Sequence, residues 1–350
     1  MTVVFDATNS LATRFGLVNF RGALALLGLP VIGGLLLAGL TFDFLPEATI
    51  ATGGALAVGF GAAQTFSRWR PAPMLAAAFG MAFSAFVGSL SGHEFTVFLI
   101  ASIVWAALCA IFAAIELGAW WILLQCAIAL FVAGSYPATV SGAVERGALT
   151  LVGGLLQAGF IMLCWRLGGA QLKATAHHSV VRVRRGLHLA RGGRLPTARH
   201  AVRASLAVGI TTLLVHWLQM PHGYWAPMTA LIVLKPKLQD TRSRGVMRLS
   251  GTVIGGAVAG LAGFFITSSA VLLACLMVST WLSFALQKSQ YVAFTISITA
   301  TVVLLLALNH DPELETAFYR LLATMLGGGI ALLMASLANT VLPGKRRAQK

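Results

Sequence analysis

Hydrophobic side chains make up 58% of the 350 residues and charged ones only 10%, where a soluble domain carries roughly 25% charged residues. With a mean hydropathy of +0.84, this excludes a water-soluble globular protein and makes the bilayer the solvent. The formal charge of +15 does not signal nucleic acid, because the basic residues sit in short segments between apolar runs, where positive charge sets membrane orientation.

At the amino end, Asp6, Arg14 and Arg21 precede an apolar run that begins at Gly22. No small-x-small cleavage pattern follows it, so the run reads as a spanning helix rather than a signal peptide. Residues 3–20 read as a short interfacial helix. A helix crosses the hydrocarbon with about 20 apolar residues. That rule places spans near 22–41, 48–66, 74–91, 95–115, 119–135 and 144–166, then near 201–219, 224–235, 249–267, 269–287, 291–308 and 316–342. The fold class expected is an all-α integral membrane protein with about twelve transmembrane helices in two parallel six-helix repeats. Its parts are a cytoplasmic segment 1–21, a first repeat 22–166, a basic cytoplasmic linker 167–200, a second repeat 201–342 and a basic tail 343–350.

Alternating the spans from a cytoplasmic amino end leaves only Arg146 and Arg320 outside, of the 25 Lys and Arg residues. Lys and Arg resist translocation, so both ends are expected in the cytoplasm of a cell whose inner membrane holds the chain. The linker around Arg166 to Arg203 holds nine basic residues and no acidic one, which suits a connector held at an anionic leaflet.

The first half has an irregular second span, with Pro46, Gly53, Gly54, Gly59 and Gly61. Cys109, Cys126, Cys164 and Cys275 lie scattered in apolar runs without metal-ligand spacing and read as small hydrophobes. Near the outer end of the sixth span stands Arg146, beside Glu145. Arg320 takes the matching place in the twelfth: aligning Glu145–Gly154 with Tyr319–Gly328 superposes Arg, Thr and both glycines at an offset of 174. A nearly equal offset brings Gly80 to Gly255, and Thr49 towards Thr229. A charge inside a membrane faces the bundle interior or a watery path, so both arginines are candidate anion contacts.

The eighth span is the oddest. Pro221-His222-Gly223-Tyr224-Trp225-Ala226-Pro227-Met228-Thr229 leads into an apolar run that ends at Lys235-Pro236, too short for a regular crossing. Proline breaks helices, and in a membrane the freed backbone groups need protein or water, so broken segments line cavities. Gly/Pro-interrupted spans at matching places in two halves point to a transport site. Tyr224, Trp225 and Thr229 are therefore candidate substrate contacts, with Lys235 and Arg248 towards the cytoplasm; Thr252 and Thr295 are further candidates. Glu145 and His222 are candidates for proton coupling. Runs such as Gly255-Gly256 and Gly327-Gly328-Gly329 read as places where helices approach closely.

These residues carry a family resemblance. Tyr224 to Thr229, Lys235-Pro236 through Thr241-Arg242 and Arg244, Arg248 with Gly251-Thr252, and Tyr291 with Phe294-Thr295 make residues 199–342 resemble the fusaric-acid-resistance (FUSC) family of bacterial aromatic-acid exporters. The resemblance implies efflux of carboxylated aromatic or similar weak acids, driven by the proton gradient and assisted by a periplasmic adaptor protein. It also brings in the distantly similar plant malate channels, and with them a passive anion channel as the alternative. The chain departs from the larger exporters in having no sizeable soluble domain between its halves. No cofactor is implied. An enzyme is not expected, since His310-Asp311 has no nucleophile or metal cluster beside it.

Overall fold

The computed structural model describes residues 22–113, 115–169, 196–266, 268–309 and 312–341. The segment 1–21, most of the basic linker, His310-Asp311 and the tail lie outside the described residues. The described residues form helices without strands: a turn at Gly22–Ala25 and a 3-10 turn at Leu26–Gly28, then α1 (Leu29–Thr41), α2 (Leu45–Phe60), α3 (Ala72–Ser91), α4 (Phe95–Ala113), α5 (Leu117–Gly134) and α6 (Val140–Leu167), followed by α7 (Pro196–Trp217), α8 (Trp225–Val233), α9 (Leu238–Phe265), α10 (Ser269–Leu286), α11 (Tyr291–Leu308) and α12 (Glu313–Val341).

Eight of these, α3 to α6 and α9 to α12, are long and apolar enough to cross a membrane. The others have local reasons for falling short. Pro30 and Pro46 sit in the first turns of α1 and α2, where a missing N–H costs nothing, and these helices run only 13 and 16 residues. α7 carries Arg199 and Arg203 in its first turns.

α8 has nine residues, about 14 Å of rise against about 30 Å of hydrocarbon. Pro227 in its first turn bars extension upstream, and Pro236 forces the chain before it out of the α region, so Leu234 is already extended. The turn leading into it is strained: Gln219 and His222 both take positive φ, at 47° and 51°, where a side chain costs roughly 1–2 kcal/mol.

Within α1–α6, α2 lies against α6, α3 against α5 and α6, and α4 against α5. Within α7–α12, α8 lies against α12, α9 against α11 and α12, and α10 against α11. Two apolar cores bind these sets together. One joins α1, α2, α3, α5 and α6 to α10 and α11 around Leu36, Met74 and Leu276. The other joins α4 and α5 to α7, α8 and α12 around Leu130, Phe131 and Val208.

The second span gives way at Gly61, where a 3-10 turn over Gly61–Ala63 follows α2, but the glycines within the helix do not break it. α2 is continuous through Gly53 and Gly54, and an added Cβ at Gly54 would lie 2.3 Å from the Thr150 carbonyl. That glycine exists for close approach to α6, not for a kink. The four cysteines are free thiols in or beside the apolar packing.

Candidate functional site

α8, α9 and α12 bring two arginines to one buried place. Arg248 of α9 is 6% exposed and Arg320 of α12 is 4% exposed, and the two positive charges repel one another. The Nε atoms of both are buried without a hydrogen-bond partner. Among the described residues neither makes an ion pair. Arg320 instead lies over the Trp225 ring, with its guanidinium carbon 4.9 Å from the ring centroid. A ring face attracts a cation but consumes none of its directed N–H donors. The pair therefore keeps both charge and donors for an anion.

Backbone donors cannot do that work here. At the start of α8, the N–H of Trp225 donates to His222 O and that of Ala226 to Gly223 O, while Met228 donates to Tyr224 O and Pro227 has none to give. The half-helix thus offers no free amide, and the guanidinium groups must hold any anion.

Around Trp225 the aromatic groups pack on each other. His222 stacks on it at 5.1 Å, Tyr224 meets it edge-on at 5.2 Å, and Tyr136 lies 6.4 Å from Tyr224. Thr229 is buried a turn further along α8. The other candidate hydroxyls are spent within their own helices: Thr252 donates to Arg248 O at 2.8 Å and Thr295 to Tyr291 O at 2.8 Å. Thr295 also lies where a Cβ at Gly251 would come, 2.5 Å away, so that pair seats α11 on α9.

Arg146 differs from its counterpart. It donates to Ser89 Oγ at 2.7 Å, to Ala133 O at 3.4 Å and to Tyr136 O, with its carbon 5.9 Å from the Tyr136 ring centroid. This clasp ties α6 to α3 and to the end of α5, and through Tyr136 it touches the Tyr224–Trp225 cluster. Glu145 is exposed.

At the other end of α8, Lys235 is half-buried with Nζ 4.2 Å from the Trp120 ring centroid. Its N–H donates to Thr241 Oγ1 at 3.0 Å, which anchors the extended crossing from α8 to the first turn of α9. Arg244 lies over Tyr291 at 3.8 Å. Arg244 and Arg248 are four residues apart in one helix, hence on one face about 6 Å apart along the axis.

Tyr136, Trp120 and Arg203 were not among the sequence candidates. One signal was there: the chain has only four tyrosines, of which Tyr136 and Tyr291 each lie under an arginine and Tyr224 borders the Arg320 site.

Residues 209–334 match the family model described as fusaric acid resistance protein-like. The second half of this membrane protein is similar to the FUSC proteins. The matched stretch contains the whole of α8, α9, α10 and α11, and with them Arg248 and Arg320. Among curated proteins, the inner membrane protein YccS of Escherichia coli is 35% identical over 133 residues, which is 38% of this chain and 18% of that protein. An uncharacterized protein of Neisseria gonorrhoeae is 32% identical over 133 residues, 38% of this chain and 32% of its own length. One of Synechocystis is 32% identical over 141 residues, 40% of this chain and 19% of its own. The chain thus covers less than a third of the length of each of these relatives. No solved structure matches the chain.

Proposed function

We propose that this protein is an inner-membrane exporter of organic anions, carboxylic acids in the first place, driven by the proton gradient. The observation that carries the reading is the buried Arg248/Arg320 pair, with unpartnered Nε atoms and no ion pair. A desolvated cation without a carboxylate beside it is costly, and a passing carboxylate supplies the missing countercharge through charge-assisted hydrogen bonds. The likeness to the inner membrane protein YccS supports the membrane, and the fusaric-acid-resistance likeness supports the solute class. Aromatic acids are the preferred solutes on that likeness.

The reading rests on two six-helix halves related by an axis along the membrane normal. Packing supports it: the pairs α2·α6, α3·α5, α3·α6 and α4·α5 recur as α8·α12, α9·α11, α9·α12 and α10·α11, and α4·α7 recurs as α10·α1. So does detail. A Cβ at Gly153 would meet Ala51 O and one at Gly327 would meet Ala226 O. Thr150 donates to Arg146 O and Thr324 to Arg320 O, both at 2.8 Å. In this register Thr229 falls opposite Gly54, not opposite Thr49.

A passive anion channel is the second reading. One observation favours it: no carboxylate contacts the arginine pair among the described residues, and Glu145 is exposed, which leaves His222, stacked on Trp225, as the proton-coupling candidate beside the anion. Purified protein in liposomes separates the two. The exporter accumulates benzoate against its gradient when a pH difference is imposed, whereas a channel only equilibrates it.

Orientation has its own expected result. Tags at both ends and within 170–198 report cytoplasmic, and a tag in the 309–315 loop reports periplasmic, because nearly all Lys and Arg lie on one side. A periplasmic carboxyl end means that α8 turns back instead of crossing.

A further inference from the structure

The cytoplasmic end of the arginine ladder gathers three more cations from three places in the chain. Arg203 of α7 donates to Pro236 O at 3.1 Å and lies 3.3 Å from Nδ1 of the buried His200. Lys235 comes from the extended crossing and Arg244 from α9, each over an aromatic ring. Their charges act on one another: Arg244 on Lys235, and both Arg203 and Lys235 on His200. Asp240 reaches Lys235 electrostatically, yet its side chain is exposed, and among the described residues Arg203, Lys235 and Arg244 form no ion pair.

The positive-inside rule accounts for cations in water at this level. It does not account for buried donors without acceptors. The Nε atoms of Arg203 and Arg244, the Tyr291 hydroxyl and the Ser289 hydroxyl are all shut off from solvent and unpartnered. Buried polar groups are normally satisfied, and each one left open costs about 1–3 kcal/mol, more when charged. Like charges held together at low dielectric add to that cost. Trp120 and Tyr291 hold two of the cations by their ring faces and leave the N–H donors unspent.

We propose that Arg203, Lys235 and Arg244, with the Tyr291 hydroxyl, form a second anion site at the cytoplasmic mouth that binds the carboxylate of an organic acid before it passes to Arg248 and Arg320. The site rests on the transport reading above, and the step of about 6 Å between Arg244 and Arg248 makes it a waiting place for the same solute. Guanidinium forks match a planar carboxylate two oxygens at a time.

The test is equilibrium binding of labelled benzoate to the full chain in nanodiscs of neutral phosphatidylcholine. The Arg248→Gln/Arg320→Gln variant, without the inner pair, still binds one benzoate per chain. Adding Arg203→Gln and Arg244→Gln weakens that binding at least about tenfold, and placing Lys at both positions instead restores part of it, since the charge returns without the fork, which excludes misfolding as the cause. Three outcomes overturn the site: no benzoate on the two-residue variant, undiminished benzoate on the four-residue variant, or inorganic phosphate bound more tightly than benzoate, which marks a lipid headgroup site. The two proposals fail separately. Wild type that moves benzoate, with a two-residue variant that neither moves nor binds it, keeps transport and removes the second site. Wild type that moves no organic acid, with a two-residue variant that binds benzoate, does the reverse.

Discussion

Gly327→Ala and Gly153→Ala are expected to remove most of the folded protein from detergent extracts. In a helix, alanine for glycine ordinarily gains about 1 kcal/mol. Here the added Cβ at Gly327 would stand 2.1 Å from Ala226 O and 3.0 Å from Ala230 N, and the one at Gly153 would stand 1.8 Å from Ala51 O. These obstacles are backbone atoms of α8 and α2, which cannot rotate aside, so the helices must separate. Overpacking costs about 1–3 kcal/mol in ordinary cores and more when the neighbour is rigid. Gly328 and Gly329, with nothing within 4 Å of an added Cβ, are the controls, and alanine at either leaves stability unchanged or slightly raised. Size-exclusion traces after stepwise heating report the difference. Equal melting of Gly327→Ala and Gly328→Ala would contradict the contact of α12 with α8.

The second large effect has the opposite sign. Arg320→Met is expected to raise the melting temperature of the detergent-solubilised protein while abolishing transport. Arg320 is a buried charge without an ion pair, repelled by Arg248, and methionine has similar volume without the charge. Replacing buried charged groups by well-packed apolar ones gains about 1–4 kcal/mol in favourable cases, whereas the lost contact with Trp225 returns only about 1–2 kcal/mol. A gain in stability together with a loss of activity marks a residue kept for function at the expense of the fold. A lower melting temperature in Arg320→Met would mean that the arginine is structural. Arg146 is the contrast: it clasps Ser89 and two carbonyls, so Arg146→Met lowers the melting temperature.

Much of this architecture is legible in the residues, and the misses follow a physical pattern. The span read at 291–308 coincides with α11, because its apolar run is bounded sharply by Gln290 and Asn309. The span read from 249 begins eleven residues earlier, at Leu238. Hydropathy stops where Asp240, Arg242 and Arg244 begin, but the helix continues into the polar interface. The short eighth span was legible because two prolines bracket it. Its glycine-rich partner is short, ending in a 3-10 turn at Gly61, but Gly54 within it serves a close contact that only the neighbouring Thr150 carbonyl reveals.

The site divides in the same way. Local elements such as Tyr224-Trp225 and the Arg146/Arg320 correspondence stand in the sequence. The difference between those two arginines does not, because it depends on Ser89, 57 residues away from Arg146. The rings beneath Lys235 and Arg244 are likewise supplied by α5 and α11, far along the chain.

On the proposed mechanism, an uncompensated arginine pair inside the bundle carries an organic anion across the bilayer. The most direct measurement is uptake of labelled benzoate by liposomes holding equal amounts of wild type, Arg248→Met or Arg320→Met, with Arg70→Met, altered at a cation over Trp165, as the control. Saturable uptake is expected in wild type and the control, with a loss of at least about tenfold in either variant of the pair, as follows when a charge-assisted hydrogen bond worth about 1.5–3 kcal/mol is removed. Uptake that survives in both Arg248→Met and Arg320→Met would contradict that mechanism.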